Sequence, residues 1–336
     1  MAAKRPVTWA TISTIKASPK NIDRFATHHL GLGARQMFIF LDDPNQEVPP
    51  WMEACEEIKL SRCDAAHWDR LKNPRPEISR QRQAANANHA YGQVRATWAI
   101  HLDGDEFLLP SGGRTVTELL ENAKPSLNAW RVAPGEYLGE ASRKEGIPVF
   151  KRHLARKYRA LGLHLELYPT FGARIKQGFL SHTDGKSFLR TGVRDMTVGI
   201  HRGLDRKGAQ EPSKTLDNIL LGHAHARCEA DFIEQTPRRL AFGGYKPYGC
   251  QRRQAISDVL NHALETDGEV GLLHVYRELM SSDPAVLDRL RAHSLLFRAR
   301  QWPGLCDPRD GTKVPRGTVA QGGADPIGYA KTRRSA

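Results

Sequence analysis

The stretch WAIHLDGDEF, from Trp98 to Phe107, decides the fold class that the sequence predicts. Its first five residues are apolar apart from one histidine, a pattern typical of a strand that is buried on both faces. Asp103 and Asp105 follow directly, and Gly104 between them leaves room for close approach of the backbone. Acidic side chains just past a buried strand indicate a ligand site at the edge of a sheet.

Strands and helices alternate on the N-terminal side of this stretch. Predicted strands cover 8–15, 37–41 and 57–60, and predicted helices cover 19–31 and 79–94. The second strand ends at Asp42 and Asp43, so a second acidic strand end is expected near the first. This alternation predicts an α/β fold with a mostly parallel sheet flanked by helices.

The C-terminal third of the chain has a different pattern. Apolar residues at 256, 259, 260 and 263 have helical spacing, and Asp283 followed by Pro284 is a typical helix start. From 303 onward the chain is rich in Gly, Pro, Lys and Arg without periodicity. The predicted domains are therefore a main domain over 1–240, a helical extension over 241–302 and a flexible basic tail over 303–336.

The composition favours anionic partners. The chain has 50 Lys and Arg against 37 Asp and Glu, a net charge of +13, which is typical of proteins that meet phosphates, nucleic acid or an acidic membrane surface. The odd count of five cysteines, with no C-x-x-C pair, argues against a disulfide framework. We expect a cytoplasmic protein. The basic segment 143–159 is a candidate amphipathic helix that either faces an anionic partner, such as the inner face of a membrane, or forms an ordinary solvated helix face, which the pattern favours.

The spacing of Asp103 and Asp105 predicts a site for Mn²⁺ or Mg²⁺. These cations prefer carboxylate oxygens, and two aspartates two residues apart can present both carboxylates to one ion. Such an ion would bridge the phosphates of a nucleotide. His201, His223 and His225 are the candidate histidines for completing the site.

Other polar residues are candidates for binding a nucleotide. Asp42 or Asp43 at a strand end could accept hydrogen bonds from a ribose or a base. The helix that leads into the Trp98 strand carries Arg80, Arg82, Gln83, Asn86 and Asn88. Its start could face phosphate, because backbone N–H groups and arginine favour anions; the alternative is a solvated polar face. Two later cations, Lys186 and Arg190, could bind a diphosphate as a point charge and a fork.

The same residues resemble a known family. The segments that carry the resemblance are 11–16, 28–31, 38–43, 80–83, 98–107, 186–190 and 223–232, with His201. Together they are similar to family 2-like glycosyltransferases, whose D-x-D-E-F signature matches residues 103–107. The resemblance implies a GT-A fold, a nucleotide-diphosphate sugar donor and a divalent metal. It maps Asp103 and Asp105 to metal and diphosphate, Asp42 or Asp43 to the nucleoside, and His201 to the metal.

The reaction expected from this resemblance is sugar transfer from a donor, such as a UDP-sugar, to a glycan or other hydroxyl acceptor, with inversion. A carboxylate must then take the acceptor proton, and Asp184 is the candidate by position, with Glu136 and Glu140 as rivals. Two alternatives stay open: a phosphatase with a strand-end aspartate nucleophile, and a basic nucleic-acid-binding protein. No recognised nucleic-acid-binding module supports the second.

Overall fold

The computed structural model describes residues 6–242, 245, 251–299 and 302. Within them, two compact units separate. The larger covers 6–153, 179–227 and 280–302, and the smaller covers 154–178 and 228–279. The strands are β1 Trp9–Ile15, β2 Gln36–Leu41, β3 Ile58–Arg62, β4 Trp98–His101, β5 Glu106–Pro110, β6 Ala129–Val132, β7 Pro134–Tyr137, β8 Val149–Arg152, β9 Lys186–Arg190, β10 Thr197–Val198, β11 Gly203–Leu204, β12 Ser213–Thr215, β13 Ile219–His223 and β14 Leu296–Arg298. The helices are α1 Pro19–Gly31, α2 Pro50–Ala54, α3 Ala65–Arg70, α4 Ser79–Tyr91, α5 Val116–Glu121, α6 Gly139–Glu145, α7 Arg156–Ala160, α8 Leu163–Leu167, α9 Glu229–Phe242, α10 Gln251–Leu279 and α11 Pro284–Ala292.

The main sheet of the larger unit has seven strands in the order β12-β6-β9-β4-β1-β2-β3. Four of its six strand pairs are parallel, and β9 runs antiparallel to both of its neighbours. The predicted mostly parallel α/β sheet is thereby confirmed. Because β9 is reversed, its first residue, Lys186, lies at the same edge of the sheet as the carboxyl end of β4.

Side chains on the two faces of this sheet pack against different helices. On β2, Met37, Ile39 and Leu41 join a core that includes Ile22 and Phe25 of α1. The alternating residues Phe38 and Phe40 join a second core with Ala87 and Ala90 of α4. This alternation is what a strand buried on both faces requires. The helix start predicted at Pro19 is confirmed, and α1 buries Ile22, Phe25, Ala26 and His29.

A second sheet of five strands, in the order β14-β8-β7-β13-β5, was not predicted. Strand β5 begins at Glu106, directly after the two aspartates, and pairs antiparallel with β13 so that His223 lies opposite Glu106. On its other side β13 runs parallel to β7, which places His223 opposite Glu136. The acidic loop after β4 therefore connects one sheet to the other.

The C-terminal region is largely helical, as predicted. In the smaller unit, α10 buries the predicted stripe of Ile256, Val259, Leu260 and Ala263. The helix is interrupted at Gly268, whose φ of 59° is readily adopted by glycine. In the larger unit, Asp283 caps α11 by accepting a hydrogen bond from the backbone N–H of Ala285 at 2.7 Å, and the chain then forms β14. The predicted domain boundaries stay a prediction, and the tail over 303–336 lies outside the described residues.

The helix expected over 143–159 was wrong. Helix α6 ends at Glu145, and Gly146 adopts a left-handed conformation with a φ of 68°. The chain then enters β8, where Val149 and Phe150 are buried, and forms a short helix, α7, only afterwards. Burial of these two apolar side chains in a sheet outweighs the helical spacing of the basic residues. Across the described helices, none combines the length and apolar character needed to cross a membrane.

Candidate functional site

The loop between β4 and β5 carries Asp103, Gly104 and Asp105. Pairing with β1 continues as far as Leu102, whose N–H donates to the carbonyl oxygen of Ile12 at 3.0 Å. A Cβ atom on Gly104 would lie 2.9 Å from Cγ2 of Ile15. Glycine at this position therefore lets the acidic loop pack against the end of β1.

Asp103 is held by partners within the protein. Its Oδ1 accepts a hydrogen bond from Nε2 of Gln83 at 2.8 Å, and its Oδ2 accepts one from Nζ of Lys186 at 2.9 Å. Its backbone N–H donates to Oε2 of Glu106 at 2.8 Å. Two predicted site residues, Gln83 and Lys186, thus contact Asp103, as does the neighbouring Glu106. Both carboxylate oxygens of Asp103 accept a hydrogen bond.

Lys186 and Glu106 form a buried ion pair beside Asp103. Both side chains are 0% exposed, and Nζ of Lys186 lies 3.3 Å from Oε2 of Glu106. Burial by itself would raise the pKa of Glu106, but Lys186 and then His182 outweigh burial and hold that pKa well below its ordinary value. Burial by itself would lower the pKa of Lys186, but Asp103 and Glu106 outweigh burial and raise that pKa above its ordinary value. Both groups are therefore charged in the folded protein at neutral pH.

Two histidines connect this cluster to Asp105. Nε2 of His182 lies 3.0 Å from Oε1 of Glu106, and Nε2 of His223 lies 3.3 Å from Oδ2 of Asp105. The two ring centroids are 5.5 Å apart. Burial alone would lower the pKa of His223, but Asp105 and then Glu106 raise it to about 9. His223 is thus an imidazolium paired with Asp105 at neutral pH.

His201, the histidine that the resemblance maps to a metal, has another contact. Its Nδ1 lies 2.9 Å from the carbonyl oxygen of Gly185, which can only accept, so Nδ1 carries the proton. Burial and then Lys186 lower the pKa of His201 to about 3, so the ring is neutral. Its ring centroid lies 4.6 Å from that of His182. His223 is the predicted histidine with a direct contact to Asp105.

The donor atoms around Asp105 suit a divalent cation that arrives with phosphate. The carboxylate of Asp105 is 53% exposed, and Nδ1 of His182 is buried without a hydrogen-bond partner. The imidazolium of His223 has no lone pair to offer a cation. Among the described residues, however, no three His, Cys, Asp or Glu side chains form a ligand set for a metal ion. Cations such as Mg²⁺ are commonly held by one or two carboxylates together with substrate phosphates, so the site fits that mode and not a closed protein cage.

Asp42, at the end of β2, forms a buried two-point contact with Arg82 of α4. Nε and Nη2 of Arg82 lie 2.6 and 2.7 Å from Oδ1 and Oδ2 of Asp42. Nη2 of Arg75 lies 3.4 Å from the same carboxylate. A guanidinium that binds both oxygens leaves little of Asp42 for a ribose or a base. Its main contact is therefore internal, and Asp43 is the more available of the two predicted nucleoside residues.

Asp43, Arg80 and Asp184 are exposed or half-buried. Oδ2 of Asp43 lies 3.4 Å from Nζ of Lys16, and Arg80 is exposed in the first turn of α4. Oδ2 of Asp184 lies 3.4 Å from a guanidinium nitrogen of Arg202, and its carboxylate is 53% exposed. Asp184 stands two residues before Lys186, the first residue of β9. Its role as a base stays a prediction.

Arg190 is not brought into this site. It is the last residue of β9 and pairs in register with Trp98, the first residue of β4. Its guanidinium lies 4.4 Å from the ring centroid of Trp98. Four residues of strand separate it from Lys186, about 13 Å at 3.3 Å per residue. The prediction that both cations bind one diphosphate was wrong, because the strand direction sends Arg190 to the opposite edge of the sheet.

Sequence reasoning missed the buried acids that support the site. Glu106 was seen as part of the signature but not as a partner of Lys186. Glu136, a rival for the catalytic base, is 0% exposed and lies 3.3 Å from Nζ of Lys151. It also accepts the backbone N–H groups of Leu180 and Ser181 at 3.1 and 2.8 Å. Glu136 therefore holds the loop that carries His182. No local signal separates Glu106 from the two aspartates before it, and Glu136 lies in a strand of only four residues.

Comparisons with known proteins give limited information. No family model matches the chain, and no curated protein matches it. Among solved structures, it is similar to that of CMP:2-keto-3-deoxy-manno-octonic acid synthetase complexed with CTP, at 17% sequence identity and a TM-score of 0.24. The similarity covers 40% of this chain and 56% of that one, so the chain spans about half the length of the protein it matches. A similarity at this level assigns neither a family nor an activity.

Proposed function

We propose that this chain is a metal-dependent glycosyltransferase that moves a sugar from a nucleotide-diphosphate donor to a hydroxyl acceptor. The observation that carries the proposal is the acidic loop after β4. Asp103 is fixed by Gln83 and Lys186, whereas Asp105 points an exposed carboxylate from the same edge of the sheet beside His223. In open α/β sheets this edge is where ligands bind.

In this proposal, Asp105 is the residue that binds the cation, and Asp103 positions the loop. A divalent cation bound with the donor would stabilise the charge that develops on the departing diphosphate. Lys186 contributes positive charge, but Asp103 and Glu106 already balance it at 2.9 and 3.3 Å. A diphosphate beside this cluster therefore needs an added cation to cancel the repulsion from the carboxylates.

A cavity next to Asp42 is the proposed site of the nucleoside. It has a volume of about 420 Å³ and opens beyond the ends of β2 and β3. Its walls are formed by Pro44, Cys63, Asp64, Ala65, Trp68, Asp69, Pro74 and Arg75. The wall is mainly apolar, with a few charged groups at its edge, which suits a flat base and a ribose. We expect uridine to be the preferred nucleoside, on family resemblance alone.

Asp184 is the proposed base for the acceptor hydroxyl in an inverting reaction. Its rival Glu136 is buried, and backbone N–H groups and Lys151 occupy its oxygens, so it is poorly placed to take a proton. The other rival, Glu140, pairs with Arg143 one turn away on α6. The carboxylate of Asp184 is exposed, and Asp184 lies two residues before Lys186 in the chain. If Asp184 is the base, the conservative variant Asp184→Asn should lower kcat and leave KM nearly unchanged.

The experiment is an assay for nucleoside diphosphate released from UDP-, GDP-, ADP- and CDP-sugars with Mn²⁺ or with EDTA. We expect release with one donor, only in the presence of metal, and loss of release in Asp105→Asn. Glu121→Gln is the matched control, since Glu121 is an exposed acid at the end of α5 in the same unit. Release that is unchanged by EDTA and by Asp105→Asn would contradict the proposal. Hydrolysis of a simple phosphate ester instead would support the phosphatase alternative.

A further inference from the structure

A short helical hairpin in the smaller unit exposes two leucines. Leu161 follows α7 and is 76% exposed, and Leu165 on α8 is 49% exposed. The hairpin turns at Gly162, whose φ is 76°. Leu163 and Leu167 of α8 are buried on the other side of that helix. The hairpin therefore already has an inward apolar face, and the two exposed leucines are in excess of what its own packing needs.

Basic side chains are concentrated in the same segment as these leucines. The segment 154–178 contains five Lys and Arg residues and one acid, Glu166. Arg156, Lys157 and Arg159 lie on α7, directly before Leu161. Lys176 and Arg159 are close enough to His164 on α8 to act on its pKa, which burial lowers and Lys176 and then Arg159 lower further. Both cations are therefore close to the helix that carries Leu165.

We propose that this surface docks on the headgroup region of an anionic phospholipid membrane. The docking surface is formed by Arg156, Lys157, Arg159, Leu161, Leu165 and Lys176. Exposed apolar side chains in a basic segment are the pattern of an interfacial anchor, in which leucines enter the acyl boundary and cations meet anionic headgroups. A nucleic-acid surface would use the cations but would gain little from two protruding leucines, since phosphate contacts dominate that affinity.

The docking surface is independent of the proposed transferase site, because all of its residues belong to the smaller unit. Membrane binding and nucleotide binding can thus fail separately. Of the basic segment 143–159, in which a membrane-facing helix was expected, only α7 belongs to the docking surface.

The test is sedimentation of the full chain with vesicles of phosphatidylcholine alone and with vesicles in which phosphatidylglycerol replaces part of it. We expect binding to the anionic vesicles, a decrease with added salt, and little binding to phosphatidylcholine. Leu161→Ser with Leu165→Ser should lower the partition coefficient about a hundredfold, roughly tenfold for each side chain removed from the membrane. Arg156→Gln with Lys157→Gln should lower it about twenty-five-fold, since each cation contributes about fivefold near such a surface.

Matched controls come from the same unit. Val270 is 55% exposed on α10, and Arg238 is exposed on α9, so Val270→Ser and Arg238→Gln should bind like the parent chain. No sedimentation with the anionic vesicles would overturn the proposal. Equal losses in the control variants would overturn it as well, as would an unchanged partition coefficient in the double leucine variant. Displacement from vesicles by a DNA or RNA oligomer, with the leucine variants unaffected, would reassign the surface to nucleic acid.

Discussion

Replacing Lys186 with methionine keeps the length and apolar stem of the side chain and removes the ammonium group between Asp103 and Glu106. The two N–O distances are 2.9 and 3.3 Å. At an effective dielectric constant of about 20, the attractions amount to about 6 and 5 kcal/mol. The cost of burying the charges offsets much of this, and loss of one partner from a buried pair typically costs about 3–5 kcal/mol. We therefore expect Lys186→Met to lower the free energy of unfolding by about 4 kcal/mol.

The loss should depend on pH in a defined direction. Without Lys186, burial raises the pKa of Glu106 above its unfolded value, so the native variant binds a proton that the unfolded chain releases. Its free energy of unfolding then falls as pH rises above the unfolded pKa of about 4.3, which is opposite to the behaviour of a paired carboxylate. The destabilisation should be greater at pH 8 than at pH 5.5.

Urea unfolding at the two pH values measures both effects, with the midpoint and the m-value fitted separately. Lys214→Met is the matched control, because Lys214 is an exposed lysine on β12 of the same sheet, and it should change stability by less than about 0.5 kcal/mol. A loss below about 1 kcal/mol for Lys186→Met, or an equal loss at both pH values, would refute the account of this buried cluster.

Three further predictions concern other buried groups. Asp42→Asn should lower the free energy of unfolding by about 3 kcal/mol, because it breaks the two-point contact with Arg82. Asp43→Asn should lower it by less than about 1 kcal/mol. Urea unfolding of both variants measures the difference, and equal effects would contradict the prediction. Burial raises the pKa of the Cys63 thiol to about 11, so little of it is thiolate at pH 8, and iodoacetamide should alkylate Cys63 much more slowly in native than in unfolded protein, as read by peptide mass mapping. Equal rates in native and unfolded protein would contradict the raised pKa. Burial, and then His28, lowers the pKa of His29 well below its ordinary value. The unfolded chain therefore takes up a proton near pH 6.5 that native His29 does not, and the free energy of unfolding falls by up to about 1.4 kcal/mol per pH unit below pH 6.5. His29→Gln should flatten this slope between pH 6.5 and 5, and an unchanged slope would argue against a neutral His29.

Much of the main sheet could be predicted because its signals are local. The apolar run of β2 and the Pro19 helix start each lie within a dozen residues, and both predictions were confirmed. The second sheet could not be predicted in the same way. Strands β5 and β13 are separated by more than 100 residues, and their short apolar runs do not identify their partners.

The candidate site divides along the same line. Asp103 and Asp105 could be found because they directly follow a strand with a clear pattern. Their partners could not: Gln83 is 20 residues away and Lys186 is 83 residues away along the chain. Lys186 lies at the site, and Arg190 lies away from it, because β9 runs antiparallel to β4. The sequence of β9 does not reveal its direction. His223 likewise meets Asp105 through the pairing of β13 with β5.

The central claim is that Asp105 binds a cation only together with a nucleoside diphosphate. The most direct measurement is a thermal-unfolding shift of the parent chain and Asp105→Ala with Mn²⁺ alone, UDP with EDTA, and UDP with Mn²⁺. The account predicts little effect from either component alone and stabilisation by about 2.7 kcal/mol from both at about one hundred times the dissociation constant. Asp105→Ala removes the carboxylate that pairs with His223, so its ligand-free protein should be less stable than the parent. Measured from its own ligand-free midpoint, it should lose this shift. Equal stabilisation by UDP in EDTA, or an undiminished shift in Asp105→Ala, would contradict the claim.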